Sequence, residues 1–120
     1  MNIIKEDKIL DDKSIIIEYQ DHVIVVNGCC HSGLMNTIDY VNTICNKPIS
    51  HIIGGFHMAS ASDKRIQKTI EYLEKLDKYN DMLYLFPIHC TGELFLQKVK
   101  EASFENIKAY NSSVGTIFHL

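Results

Sequence analysis

Three of the six histidines stand in the same kind of place, each closing a segment rich in apolar residues. His31 closes VIVVNGCCH, His57 closes ISHIIGGFH and His89 closes MLYLFPIH. If these segments are strands of an open α/β sheet, their carboxyl ends share one crevice and the imidazoles converge there. Imidazole is the commonest protein ligand for zinc and suits iron and other borderline metals. The pattern therefore predicts a metal site at His31, His57 and His89; the alternative is three ordinary polar loop residues.

Cysteine adds a fourth candidate ligand. Cys29 lies two residues before His31, and a thiolate can bind zinc directly. The alternative is a small, buried, reduced cysteine. The four cysteines form no C-x-x-C pair and two are adjacent, which is a poor pattern for disulfides. We therefore expect reduced thiols in a cytoplasmic protein.

Two predicted helices begin directly after histidine candidates, and both starts contain glycine. The free N–H groups at a helix start favour an anion such as a phosphate or carboxylate of a substrate. The predicted substrate contacts at these helix starts are Gly33, Asn36, Thr91 and Gly92. Glu93 is a candidate general base or partner of a metal ligand; the alternative is an acidic residue that stabilises the first helical turn.

The elements that must position these residues follow from hydrophobic periodicity. β-Branched and apolar runs predict strands at 14–19, 22–27, 49–56 and 82–88, with one or two further short strands within 107–119. Apolar residues at spacings of three and four predict helices over about 34–44, 63–79 and 91–102, the last with Leu94, Phe95 and Val99 inward. Thr91 is expected to cap the third helix. Alternating strands and helices with an initial hairpin predict an α/β fold with a mixed sheet.

Composition narrows the function classes. The chain has 120 residues, which fits a single domain over 1–120, and 46% of them are hydrophobic. The net charge is −3 and no long stretch carries one sign, so nucleic-acid binding and electrostatic membrane binding are not expected. Nor is a secretory signal or a membrane span expected, because no apolar run is long enough for either.

The motifs resemble those of a known family. The segments GCCHSGLMNT (28–37), IIGGFHM (52–58) and PIHCTGE (87–93) resemble three consecutive signature segments of one branch of the metallo-β-lactamase superfamily. This branch includes 7,8-dihydropterin-6-methyl-4-(β-D-ribofuranosyl)-aminobenzene-5′-phosphate synthases and many uncharacterised relatives. The resemblance covers nearly the whole chain. It implies half of an αββα sandwich, in which a mixed sheet with flanking helices carries a metal site at one edge.

The resemblance also implies roles for the histidines. His31 corresponds to a late metal-site histidine, His89 to the last one, and His57 to a ligand or a substrate contact. Gly28-Cys29 stands where many superfamily members have Gly-Asp, so the bridging carboxylate is missing. The expected cofactor is zinc, or alternatively iron or manganese. The expected reaction is hydrolysis of an ester-like or phosphate-containing small molecule by metal-activated water.

One departure from the family shapes the functional hypothesis. The HxHxDH cluster, which the superfamily places before these segments, does not occur in the sequence. We therefore expect the C-terminal half of the fold, in a truncated or split form that is inactive without the other half. Its partner would be a complementing N-terminal chain or a second copy in a homodimer. The rival hypothesis is a catalytically inactive metal-binding or protein-interaction module, because an uncovered sheet face is an apolar patch.

Overall fold

The structure, a computed structural model, describes residues 2–6, 13–28, 33–58, 61–79, 82–88 and 91–110, with the backbone alone at 2–6, Lys13 and Tyr79. The strands are β1 (Asn2–Glu6), β2 (Lys13–Glu18), β3 (Val23–Asn27), β4 (Ile49–Gly54), β5 (Leu83–Pro87) and β6 (Ile107–Ala109). The helices are α1 (Leu34–Ile44), α2 (Asp63–Tyr79) and α3 (Glu93–Ala102).

The strands form one mixed sheet in which spatial order follows chain order from β1 to β6. β1, β2 and β3 are antiparallel, whereas β3, β4, β5 and β6 are parallel. The predicted hairpin between β2 and β3 is confirmed, and its turn is closed by the Tyr19 N–H, which donates to the His22 carbonyl at 2.9 Å. The predicted α/β class and mixed sheet are also confirmed, whereas β1 was not predicted.

The three helices cover the same face of the sheet. Each of them connects one parallel strand to its immediate neighbour, and such crossovers are right-handed. Because every crossover advances in the same direction, α1, α2 and α3 must lie on one side. One apolar cluster joins buried residues of the helices to alternate strand positions. The strand members of this core are Ile16, Val23, Val25, Ile52, Leu83, Leu85 and Ile107.

The helices follow their predicted bounds closely. α2 spans the predicted 63–79, and its apolar stripe of Ile66, Ile70 and Leu73 is buried. On α3, Phe95 is buried as predicted, but Leu94 is 46% exposed and the prediction that it faces inward is wrong. Successive residues point about 100° apart around a helix, and here Phe95 takes the inward direction while Leu94 points away from the core. No helix within the described residues is long and apolar enough to cross a membrane.

The opposite face of the sheet carries no helix in the part of the chain that the structure describes. Four aromatic rings stack across it. The ring centroid of His51 lies 5.2 Å from that of Tyr84 and 6.0 Å from that of Phe86, and the centroids of Tyr110 and Phe86 are 5.7 Å apart. Tyr110 is 50% exposed and Ile15, on β2, is 44% exposed. We call this surface the open face; it is made of Ile15, Ile17, Ile24, Val26, His51, Ile53, Tyr84, Phe86 and Tyr110, of which Ile24 is buried among its neighbours.

His51 on the open face should make stability depend on pH. Burial, and after it the charge of His22, hold the pKa of His51 below its usual value. As the pH falls below about 6.5, His51 therefore takes up its proton in the unfolded chain before it does so in the folded chain. The free energy of unfolding decreases over this pH range until the pH reaches the lower pKa that His51 has in the folded protein. Urea unfolding at several pH values would show this slope, and His51→Gln should flatten it. An equal slope in the two proteins would contradict the prediction.

Candidate metal centre

The carboxyl ends of β3, β4 and β5 lie side by side and are joined beyond the last strand residues. The Gly55 N–H donates to the Gly28 carbonyl at 2.9 Å, which links the segments after β3 and β4. The Ile88 N–H donates to the Gly54 carbonyl at 2.9 Å, which links the segments after β4 and β5. The three strand ends therefore form one continuous edge, which we call the carboxyl edge.

Gly54 allows β3 and β4 to come together at this edge. Its φ is +140°, a conformation that residues with a side chain rarely adopt. A Cβ at this position would lie 2.3 Å from the carbonyl oxygen of Asn27 and 2.9 Å from its Cβ. The sequence pattern Gly54-Gly55 is thus explained at its first position by a close approach of two backbones.

Thr91 joins the segments after β4 and β5 through its side chain. It is 2% exposed, its hydroxyl donates to the Ile88 carbonyl at 3.0 Å, and its oxygen accepts from the Phe56 N–H at 3.1 Å. The prediction that Thr91 caps α3 is wrong, because Gly92 is the N-cap and makes no side-chain cap. The hydroxyl is used across the sheet edge, and a substrate contact of Thr91 stays a prediction.

Replacing this hydroxyl should weaken the edge. Thr91→Val keeps the shape but leaves the buried Phe56 N–H and Ile88 carbonyl without this partner, which costs about 1–3 kcal/mol of unfolding free energy. Thr43→Val is the control, since its hydroxyl also donates to a backbone carbonyl, that of Tyr40, but is exposed. Urea unfolding of both variants measures the difference, and equal losses would contradict the bridging role.

His57 has a backbone conformation that suggests a functional constraint. Its φ is +51°, in the left-handed region that non-glycine residues rarely occupy. The neighbouring side chains of Phe56 and Met58 are 0% and 2% exposed, so buried groups hold the backbone on both sides of a half-buried histidine. Residues in such conformations cluster at sites where the surrounding structure enforces them.

The other predicted ligands, Cys29, His31 and His89, lie outside the described residues. Cys30 and Cys90 lie outside them as well. Within the described ranges, no group of three or more His, Cys, Asp or Glu side chains could hold a metal ion. The ligand set therefore stays a prediction. The described residues that flank it, including Gly28 and Ile88, belong to the carboxyl edge.

A cleft of about 290 Å³ opens beside the start of α1. Gly33 and Asn36, both predicted substrate contacts, line it together with Arg65 and Met58. Gly33 is the N-cap of α1, with φ +95°, no side-chain cap and no acidic residue in the first turn. A Cβ on Gly33 would lie 3.5 Å from an Arg65 guanidinium nitrogen, so the cation and the helix start face the same space. Sequence reasoning missed Arg65, although it is the only arginine in the sequence.

Asn27 is a second residue that sequence reasoning missed. It ends β3, is 6% exposed, and its Oδ1 accepts a hydrogen bond from the Ser14 hydroxyl at 3.0 Å. Its Nδ2 is buried and has no hydrogen-bond partner in the described part of the chain. The available signal was a single amide at the end of an otherwise apolar strand, VIVVN.

This chain is similar to known proteins in both structure and sequence. A solved structure, Tm1679, described as a metal-dependent hydrolase of the β-lactamase superfamily, superimposes on 97% of this chain with a TM-score of 0.79 and 25% identity. A 7,8-dihydropterin-6-methyl-4-(β-D-ribofuranosyl)-aminobenzene-5′-phosphate synthase from Methanocaldococcus jannaschii is 31% identical over 108 residues, which is 86% of this chain. The chain therefore has a fold of the metallo-β-lactamase superfamily and is similar in sequence to these proteins. The resemblance on which the sequence analysis relied is thereby confirmed.

The chain spans only part of these superfamily proteins. It covers 43% of Tm1679 and 35% of the synthase. An uncharacterised protein from the same archaeon, MJ0448, is 29% identical over 96 residues, which is 80% of this chain and 33% of that protein. No protein-family profile matches the chain. The described fold is thus a metallo-β-lactamase-type sheet with its helical layer, as predicted for one half of the sandwich.

Proposed function

We propose that this chain contributes to a metal-dependent hydrolase of the metallo-β-lactamase superfamily, with His31, His57, His89 and Cys29 as its metal ligands. The observation that carries the proposal is the carboxyl edge. Hydrogen bonds at Gly28, Gly54 and Thr91 join the three segments from which the candidate ligands come. The likeness to Tm1679, whose description names a metal-dependent hydrolase, supports the same function.

The donor set fits a transition metal. Three imidazoles and one thiolate are the ligands that zinc prefers, and they also suit iron; manganese is the third candidate. Asn27 Nδ2, which has no hydrogen-bond partner among the described residues, and the constrained His57 lie in segments that carry this set, which supports a bound group at the edge. When bound, the metal would lower the pKa of water and polarise a substrate oxygen.

The protein residues would select and orient an anionic substrate. The Arg65 guanidinium and the uncapped start of α1 at Gly33 both favour negative charge in the cleft, and Asn36 adds a polar side chain there. The start of α3 at Gly92 offers a second set of backbone donors. We propose an ester-like or phosphate-containing small molecule as the substrate class, hydrolysed by addition of one water across the ester bond to give an acid and an alcohol.

Metal analysis of the purified chain tests the ligand set. We expect zinc, iron or manganese to copurify with the chain. The double variant His31→Ala/His89→Ala should lower the metal content and reduce the metal affinity, measured by chelator competition, by at least about tenfold, since removing even a hydrogen-bonding partner of a ligand has an effect of this size. His22→Ala is a matched control, because its ring pairs with Asp21 in the exposed hairpin turn. Equally low metal in all three proteins would reject the proposal.

Titration with inorganic phosphate tests the cleft. Arg65→Gln should weaken phosphate binding, measured calorimetrically, because it removes the guanidinium that faces the start of α1. Lys64→Gln removes an exposed cation from the preceding residue and should leave the affinity unchanged. Equal affinities of wild type and Arg65→Gln would remove the cleft from the proposed site without affecting the metal ligands.

The second candidate function is a protein-interaction module, which the open face favours. Large exposed apolar surfaces mark partner sites, and sheets of a sandwich pack face to face about 10 Å apart. We propose that the open face binds a second sheet, supplied by a segment or chain that carries the HxHxDH cluster, with homodimerisation as the other outcome. The two candidate functions are compatible, since the second sheet would complete the proposed metal site.

Charge on the open face tests this interaction. Tyr110→Lys should prevent association, measured by sedimentation of the chain alone and with a segment containing the cluster. Because Tyr110 is 50% exposed, the variant should still fold. Leu94→Lys is the control: Leu94 is 46% exposed but belongs to α3, on the other side of the sheet. Association that survives Tyr110→Lys as well as it survives Leu94→Lys would reject the open face as the interface.

A further inference from the structure

A cavity of about 550 Å³ opens at the amino edge of the sheet, where β3, β4 and β5 begin. Its lining includes His22, which precedes β3, and Ser50 and His51 on β4. The carboxyl edge lies at the other end of these strands, roughly 16 Å away for a strand of six residues that rises about 3.3 Å per residue. The cavity is therefore separate from the candidate metal centre, and its volume lies in the range of about 300–1,000 Å³ that small-molecule sites have.

The orientation of His51 at this cavity is fixed by its neighbours. Its ring stacks on Tyr84 and Phe86, with centroids 5.2 Å and 6.0 Å away. The Ser50 hydroxyl has one proton, which it donates to the Val23 carbonyl at 3.3 Å, so its oxygen accepts from the His51 Nδ1–H at 2.7 Å. Burial holds the pKa of His51 below its usual value, so the ring is neutral at pH 7. The His51 Nε2 is therefore a hydrogen-bond acceptor.

Three further side chains of the lining also present acceptors. The Asp21 carboxylate accepts from the His22 Nδ1 at 2.7 Å, which leaves Nε2 of the neutral His22 ring as an acceptor. The same hydrogen bond lowers the pKa of Asp21, so the carboxylate stays ionised. Asn106 uses its Nδ2 to donate to the Asp77 carbonyl at 2.8 Å, and its Oδ1 remains. Neither Nε2 atom nor the Asn106 Oδ1 has a hydrogen-bond partner in the described part of the chain.

The lining selects the chemical class of the ligand. It carries the negative charge of Asp21, and no lysine or arginine of the described residues contributes to it. An anion would meet this carboxylate and the acceptors with unfavourable electrostatics, and an apolar molecule would leave the acceptors without partners. A cation with several N–H donors matches both the charge and the acceptors. An alkylguanidinium group presents five N–H donors in one plane, compared with three on a primary ammonium.

We propose that this cavity binds a small organic cation of the alkylguanidinium class. The Asp21 carboxylate supplies the opposite charge, and the acceptors of His22, His51 and Asn106 receive the N–H donors. The cavity shares no residue with the proposed metal ligands or with the cleft beside α1, so this inference goes beyond the proposed hydrolase function and does not depend on it. Its volume favours a free small molecule over the arginine side chain of a partner protein.

Titration with methylguanidinium chloride tests the proposal, with the histidine ring protons followed by nuclear magnetic resonance. We expect the resonances of His22 and His51, assigned from His22→Gln and His51→Phe, to shift along a saturable curve. Tetramethylammonium chloride at the same ionic strength has the same charge but no N–H donor, and it should cause no saturable shift. An equal response to the two salts, or no saturable shift with methylguanidinium, would overturn the proposal.

Two variants locate the binding site. His51→Phe keeps a ring in the stack but removes the Nε2 acceptor, and it should weaken methylguanidinium binding by at least about tenfold, the effect of losing a hydrogen bond to a charged group. Asp21→Asn removes the carboxylate charge and should weaken binding by about two- to fivefold, because the Asp21 side chain is 87% exposed and solvent screens its charge. This exposure also means that Asp21→Asn should fold, so it serves if His51→Phe does not.

Asp63→Asn is the matched control, since Asp63 is an exposed carboxylate in the first turn of α2, on the other side of the sheet. It should bind methylguanidinium like wild type. If Asp21→Asn and His51→Phe also bind like Asp63→Asn, the cavity is not the site. The peptide acetyl-Gly-Arg-Gly-amide distinguishes the source of the cation. It should bind no more tightly than methylguanidinium; markedly tighter binding would assign the cavity to an arginine of a partner protein and reject the small-molecule proposal.

Discussion

Gly54→Ala is expected to abolish most of the folding stability of this chain. The new Cβ would lie 2.3 Å from the Asn27 carbonyl oxygen and 2.9 Å from its carbon, distances that real Cβ contacts do not reach. The φ of +140° adds backbone strain for any residue with a side chain. Since β3 and β4 are central strands, they cannot separate without breaking their pairing. We expect a loss above about 4 kcal/mol, a large part of the 5–15 kcal/mol typical of a domain.

Urea or thermal unfolding followed by circular dichroism measures this loss, with the yield of folded protein as a second readout. Gly28→Ala is the matched control: it lies at the same edge, its φ is not positive, and nothing lies within 4 Å of its added Cβ. It should unfold like wild type. A Gly54→Ala variant whose stability is within about 1 kcal/mol of Gly28→Ala would show that the two strands can separate at this edge, against the expectation from clash and strain.

Phe95→Ala should have the second largest effect. Phe95 and Phe56 are both 0% exposed, and their rings meet edge to face with centroids 6.5 Å apart. Truncating a buried phenylalanine costs about 3–5 kcal/mol through lost burial and the cavity that remains. The effect should reach the proposed site, because Phe56 precedes His57 and anchors the segment that carries it.

Leu94→Ala provides the control on the same helix, one residue away. Leu94 is 46% exposed, so its truncation should change stability by no more than about 0.5 kcal/mol. Denaturant unfolding of both variants measures the ratio. Comparable losses in Leu94→Ala and Phe95→Ala would mean that α3 presents a different face to the sheet.

Most of the fold could be predicted because its elements have strong local patterns. The stripe of Ile66, Ile70 and Leu73 defines α2 to the residue, and the β-branched runs define β2 and β3. β1 was missed because NIIKE has no alternation of apolar and polar residues; its strand state depends on pairing with β2. Likewise, only the folded arrangement decides that Phe95 rather than Leu94 faces the core.

Less of the candidate site could be predicted, because it depends on contacts between distant segments. The sequence indicates which histidines follow strands, and the structure confirms that β3, β4 and β5 are adjacent and parallel. The approach of Arg65 to Gly33 joins two helices, and the use of Thr91 at Phe56 joins two strand ends. A threonine before a helix favours a cap by local propensity, but the buried Phe56 N–H needs a partner, and that requirement prevails.

The consecutive order of the strands has a consequence for how the chain folds. Every strand that the structure describes pairs with the one before or after it along the chain, so none of these pairings must wait for a segment made much later. Each parallel pair nevertheless joins strands separated by a whole helix, and this non-local pairing forms more slowly than the initial antiparallel pairs. During synthesis, the meander of β1, β2 and β3 is complete before β4 emerges, and each following helix–strand unit adds to an edge that already exists. Growth of the sheet thus proceeds in one direction, from the amino terminus of the described chain towards β6.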